Sequence, residues 1–183
     1  MLLYPRLLAN SWDEVAEPIK RMHGAPSSVH ARGCFRVVHG RHPLARILAR
    51  LWRLPVPGDA APVQLVVTAE PAGECWRRTV NGRRFETRQY AAAHSLLGER
   101  FGALEFRFQL VPVDGSLVYV QREAAVVLGP VRVAIPASWA PRVLAREDPA
   151  GLLGIKVEVR ILLPGIGALI SYEGLVHIEE TAP

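Results

Sequence analysis

Cys75-Trp76-Arg77-Arg78-Thr79-Val80-Asn81-Gly82-Arg83-Arg84-Phe85-Glu86-Thr87-Arg88 is the stretch that decides the fold. Asn-Gly between two alternating runs signals a two-residue β-hairpin, because both turn positions require positive φ. A loop at Asn81-Gly82 sets the register. Trp76 then faces Thr87, Arg78 faces Phe85 and Val80 faces Arg83 on one side of the ribbon. Arg77 opposite Glu86 lies on the other side, between Thr79–Arg84 and Cys75–Arg88. One face is an aromatic diagonal interrupted by Arg78, and the other is an arginine–glutamate ladder of the kind that stabilises by a few tenths of a kcal/mol. Such a hairpin belongs to an antiparallel sheet with one buried and one wet face.

Working outward, most of the chain alternates in the same way. Val29–His39, Val63–Glu70, Leu104–Leu110, Leu117–Glu123 with a continuation through Ala124–Leu128, Val131–Ile135, Leu153–Leu163 and Leu169–Glu179 each set apolar residues against polar ones. Val113-Asp114-Gly115-Ser116 and Leu163-Pro-Gly-Ile-Gly-Ala168 read as turns between them. The expected fold is mainly β (α+β): a curved antiparallel sheet or partly open β-barrel of about eight to ten strands. One amphipathic helix packs on it, and a short helical lead-in precedes it.

That helix spans Arg41–Leu54, with Leu44, Ile47, Leu48 and Leu51 as its apolar face and Arg46, Arg50 and Arg53 as its polar one. Pro43 suits the first turn and Pro55 ends it. In the lead-in, Ser11 and Glu14 have capping-box spacing. Pro18 either breaks the helix that follows or restarts it, with an end at Gly24. The domain reading is a lead-in over residues 1–27 and one β-rich domain over residues 28–180.

Half the 183 residues are apolar and 21 % are charged, which suits a globular chain and excludes disorder. Cys34 and Cys75 are too few for a disulfide framework and read as free buried thiols of a reducing compartment. Pro5 and Arg6 break the N-terminal apolar run, so no signal peptide is read, and the expected location is cytoplasmic. Charge is uneven. Pro18–Gly58 holds eight Lys or Arg residues and no Asp or Glu, more than the whole chain's net charge of +5. This asymmetry suits either a solvated basic face or an anionic partner surface. Helix 44–54 matches an interfacial membrane helix, but a helix packed on a sheet has the same pattern and is the more common case. Nucleic acid is not expected, since the basic segment lacks aromatic interleaving and helix-turn-helix punctuation.

Reaction chemistry is sparse. His30, His39 and His42 lie among arginines without carboxylate or thiolate ligands in metal spacing, so no metal is expected. His94-Ser95 has no orienting acid. Cys75 sits in a basic hairpin expected to lower a thiol pKa, but it has no partner base. No glycine-rich phosphate motif is present, and no cofactor is expected. The better candidates are binding residues. Trp76, Phe85, Phe106 and Phe108 would line a pocket, with Arg78 and Arg84 flanking the acidic head of a hydrophobic ligand. Arg46, Arg50 and Arg53 are the candidates for a docking face.

The order Gly40-Arg41…Leu44-Ala45-Arg46-Ile47-Leu48-Ala49, Leu54-Pro55, Glu74-Cys-Trp76-Arg77-Arg78, Gly82-Arg-Arg84-Phe85, Glu99-Arg100-Phe101-Gly102 and Leu163-Pro164…Gly167…Tyr172-Glu-Gly174 resembles the bacterial domain of unknown function DUF4166 over about residues 28–178. The resemblance implies a small stand-alone protein or a tail on reductases resembling saccharopine dehydrogenase. It assigns no activity to any residue. The functional expectation is therefore a non-catalytic domain that binds a hydrophobic ligand with an acidic head group, such as a fatty acyl or isoprenoid compound. Its alternative is an accessory module that docks a basic face on a reductase partner or an anionic membrane.

Overall fold

The structure, a computed structural model, describes residues 2–179; Met1 and residue 180 of the two expected segments lie outside them. The hairpin forms in the register its sequence dictates. β3 (Gly73–Val80) pairs with β4 (Arg83–Ala91) through Trp76–Thr87, Arg77–Glu86, Arg78–Phe85 and Val80–Arg83. Asn81 and Gly82 adopt φ of 49° and 75°, as a type I′ turn demands. Asp114 and Gly115 repeat the device, with φ of 49° and 81°, between β6 (Leu104–Val113) and β7 (Ser116–Leu128).

The other strands are β1 (Ser28–His39), β2 (Gly58–Glu70), β5 (Leu97–Phe101), β8 (Val131–Ala134), β9 (Arg142–Ala150), β10 (Gly154–Leu163) and β11 (Gly167–Ile178). All pairings are antiparallel, in the order β6-β5-β4-β3-β2-β1-β11-β10-β9-β7-β8, and β6 also pairs with β7. That last pairing closes ten strands into a barrel, leaving β8 as an extra strand on the far half of β7. Closure removes the free edges that an open sheet would expose. The partly open alternative is thus replaced by a complete ring. β5 and β9 are additions to the strands expected from alternation.

Both ends are dressed by helices. At one end the lead-in folds as α1 (Leu3–Leu8), a 3-10 turn over Ala9–Glu14, and α2 (Glu17–His23), which restarts with Pro18 in its first turn and stops at Gly24. Ser11 caps no helix, because it lies inside the 3-10 turn. Ala16 N–H donates to Gly115 O at 2.9 Å, tying the lead-in to the β6–β7 turn. Tyr4, Ile19 and His23 are fully buried beneath it.

At the other end α3 (Pro43–Leu51) lies against β1 and β11, its N-terminus capped by the His42 ring, which accepts from Leu44 N–H at 3.2 Å. The helix is turned away from the orientation expected of it. Ala45 and Ala49 are its buried residues, whereas Leu44, Ile47 and Leu51 face solvent. The reason is close approach. Gly40 N–H bonds Leu169 O at 3.0 Å, and a Cβ on Gly40 would stand 1.6 Å from Ala168 O. The chain enters α3 pressed onto the β10–β11 turn, which leaves room for Ala45 and Ala49 directly beneath the helix, with Leu48 packed partly beside them.

Candidate functional site

Alternation sends one side chain in two into the barrel, and those side chains do not fill it. A cavity of about 170 Å³ remains, larger than the roughly 150 Å³ engineered cavity that stays dry and admits benzene. Trp76, Phe85, Phe106 and Phe108, read from sequence as pocket residues, all line it. Trp52, Leu54 and Pro55 reach it from the segment after α3. Lining residues at the α3 end, including Phe85, Phe101 and Leu104, are half-exposed, whereas Trp76 and Tyr119 nearer the lead-in are buried. The cavity therefore opens toward α3, and at its other end the lead-in packs behind Gln89, Tyr119 and Glu147 of its lining.

Arg78 projects into this space with its side chain 15 % exposed. Its guanidinium carbon stands 4.7 Å from the Trp76 ring centroid and 5.6 Å from that of Phe85, in cation–π range. Nη1 donates to Thr87 Oγ1 at 2.8 Å, and Nη2 lies 3.9 Å from Glu99 Oε1. Arg84 does not join it. Alternation puts Arg84 on the outer wall, exposed, one position out of phase with Phe85. Arg46, Arg50 and Arg53 are exposed at the α3 end and stand apart from the cavity lining.

Behind the lining at the lead-in end lies a polar network that the sequence did not announce. Tyr4 donates from its hydroxyl to Gln89 Oε1 at 2.8 Å and lies 3.1 Å from the Tyr119 hydroxyl, which itself donates to Glu147 Oε1 at 3.0 Å. His23 Nε2 is 2.7 Å from Glu147 Oε2, and the His23 and Tyr4 ring centroids lie 3.7 Å apart with the rings tilted by 33°. Trp76 Nε1 donates to Glu74 Oε2 at 3.0 Å. Burial raises the Tyr4 and Tyr119 pKa values, with Glu147 adding to the effect on both. Burial also raises that of Glu74, against the opposing field of His23. Tyr172, stacked on Phe35 at 5.3 Å, is likewise pushed up by burial, with Arg78 opposing. Among the described residues, His23 Nδ1 is the one buried side-chain polar atom without a partner.

Glu99 and Glu147 escaped sequence reading because they sit on β5 and β9, where a carboxylate at an inward position breaks the apolar alternation. Tyr4 and His23 lie in the lead-in, and no local signal ties them to a barrel strand more than a hundred residues away. The weaker candidates resolve differently. His39 Nε2 binds Pro55 O at 2.7 Å, His42 caps α3, and among the described residues no group of three or more metal-ligating side chains gathers. Cys75 is buried as expected, but Cys34 is exposed on the outer wall. The Cys75 thiol pKa is raised rather than lowered: burial dominates and Glu86 adds to it, against Arg77.

Fold and site together define a closed antiparallel barrel, stoppered at one end by its own N-terminal segment and enclosing an apolar cavity with an arginine inside. The sequence profile of the domain of unknown function DUF4166 matches residues 15–176, and the chain belongs to that family. No curated protein and no solved structure matches the chain.

Proposed function

We propose that the barrel binds a compact hydrophobic molecule with an acidic head group. Its body would lie against Trp76, Phe85, Phe106 and Phe108, and its head would meet Arg78. The observation that carries this reading is an arginine held in an apolar cavity with most of its hydrogen-bonding capacity unspent. Guanidinium offers five donors, and here one goes to Thr87 while the nearest carboxylate stays at 3.9 Å. A ligand carboxylate supplies the missing bidentate partner, an interaction whose strength grows where water is excluded. The cavity volume favours a single ring or a short branched chain over a long acyl chain.

Calorimetric titration with 3-phenylpropionate and with 3-phenylpropanol, one hydrophobe with and without the charge, tests the reading. The acid is expected to bind at least about ten-fold more tightly, a difference of about 1.4 kcal/mol, and Arg78→Gln to abolish that preference. Equal binding of both, or an acid preference that survives Arg78→Gln, would overturn it. Native mass spectrometry of protein purified from cells then identifies the natural occupant by mass.

A further inference from the structure

At the α3 end the fold leaves a number of apolar side chains in water. On α3, Leu44, Ile47 and Leu51 are 51 %, 57 % and 72 % exposed. They form one stripe, because positions three and four apart share a helix face. Packing of the alanine face leaves this stripe outward, so nothing in the barrel covers it. A second patch stands at the same end. β7 runs toward the α3 end, so the β7–β8 turn and the loop leading into β9 both project there. They carry Leu128, Val131 and Trp139, the last 78 % exposed. Two separate apolar projections therefore stand at the same end of the barrel. Isolated exposed leucines need no explanation, but clustered ones mark a contact surface.

Charge identifies what that surface meets. Arg41, Arg46, Arg50 and Arg53 are all exposed around the stripe. Among the described residues none of the four is in an ion pair with a carboxylate, although arginines elsewhere on the barrel are widely paired. The segment from Pro18 to Gly58 contains no acid to partner them. Cations beside an apolar stripe, with Trp52 at the helix end, form the pattern of a helix lying in the interface of an anionic bilayer: leucines enter the acyl boundary and arginines reach up to phosphate.

We infer that the α3 end docks on an anionic phospholipid membrane, with α3 in the interfacial plane and the cavity mouth facing the lipid. Docking rests on α3 and the neighbouring rim alone. Its consequence, that a hydrophobic ligand passes between bilayer and cavity without crossing water, rests on the ligand-binding reading above. The segment that enters the membrane is continuous with the cavity wall, since Trp52, Leu54 and Pro55 follow α3 directly and line the cavity.

Co-sedimentation of the full-length chain with vesicles of phosphatidylcholine alone, or of phosphatidylcholine mixed with phosphatidylglycerol, tests the docking without any cavity ligand. Binding is expected to the mixed vesicles only and to weaken as salt is raised. Each of Arg46→Gln and Arg50→Gln should weaken it about five-fold. The combined Leu44→Ser, Ile47→Ser and Leu51→Ser variant should lose it by ten-fold or more, while its thermal unfolding stays near that of the parent because all three positions are exposed. Absence of binding to the mixed vesicles overturns the inference and leaves the face to a protein partner. So does binding that neither set of substitutions reduces. Because vesicles are used without cavity ligand and the phenylpropionate titration without vesicles, each reading fails separately.

Discussion

Glu105 shows how one residue on the outer wall anchors several strands. Its carboxylate is almost fully buried, yet it accepts from Arg100 at 3.2 Å, Arg107 at 3.1 Å and Arg132 at 2.7 Å, and also from the Tyr90 hydroxyl. Tyr90 reaches it by lying across Gly98, where a Cβ would stand 2.5 Å from the ring. Burial opposes the charge, but the bonds from Tyr90, Arg132 and Arg100, with the field of Arg107, outweigh it and hold the pKa down to about 2. A folded pKa below the unfolded value of 4.5 means that the stabilisation is fully present above about pH 4.5 and is lost as pH falls through 2. Glu105→Gln is expected to destabilise at pH 7 by about 3 kcal/mol and to flatten the stability profile between pH 4.5 and 2, as read by urea unfolding across that range. At this scale Arg78 was legible from sequence, because a two-residue turn fixes register and register fixes facing. Glu105 and Glu147 were not, since both acquire their meaning from strands distant along the chain.

Among the elements, α3 carries the sharpest test. Its hydrophobic pattern alone nominates Leu44, Ile47, Leu48 and Leu51 as the packed face, but the fully buried residues are Ala45 and Ala49, and of the four only Leu48 packs partly against the core. Ala49→Leu should therefore overpack the contact with β11 and cost about 1–3 kcal/mol. Ile47→Ser should change stability by less than about 0.5 kcal/mol. Thermal unfolding of the two variants decides the orientation, since the sequence pattern predicts the opposite ranking. Periodicity reports that a helix has an apolar side and is silent on what that side meets. The β elements were more legible. Alternation located the strands whose inward residues are apolar and passed over β5 and β9, whose inward residues include Glu99 and Glu147. The strands missed are the ones that bring carboxylates to the cavity.

For the whole molecule, the question is what holds the stopper in place. The His23–Glu147 contact at 2.7 Å and the Tyr4 bonds to Gln89 and Tyr119 are the buried polar links between lead-in and barrel. Removing one member leaves the other buried without its partner, which costs about 3–5 kcal/mol when the pair is charged and about 1–3 when it is neutral. In His23→Ala, amides of residues 3–23 should exchange markedly faster while β1 and β11 keep their protection, because the ring of strands closes without the lead-in. Equal loss of protection across lead-in and strands would instead make the stopper part of one cooperative unit. The sequence by itself determined the hairpin register, the antiparallel β class, the basic segment and the aromatic character of one sheet face, because turn chemistry and side-chain alternation act over a few residues. Tertiary structure alone decided that β6 meets β7 to close the ring, that the interior stays hollow, and that α3 turns its leucines outward. Those outcomes depend on how side chains from remote segments share one volume, and no local pattern encodes that.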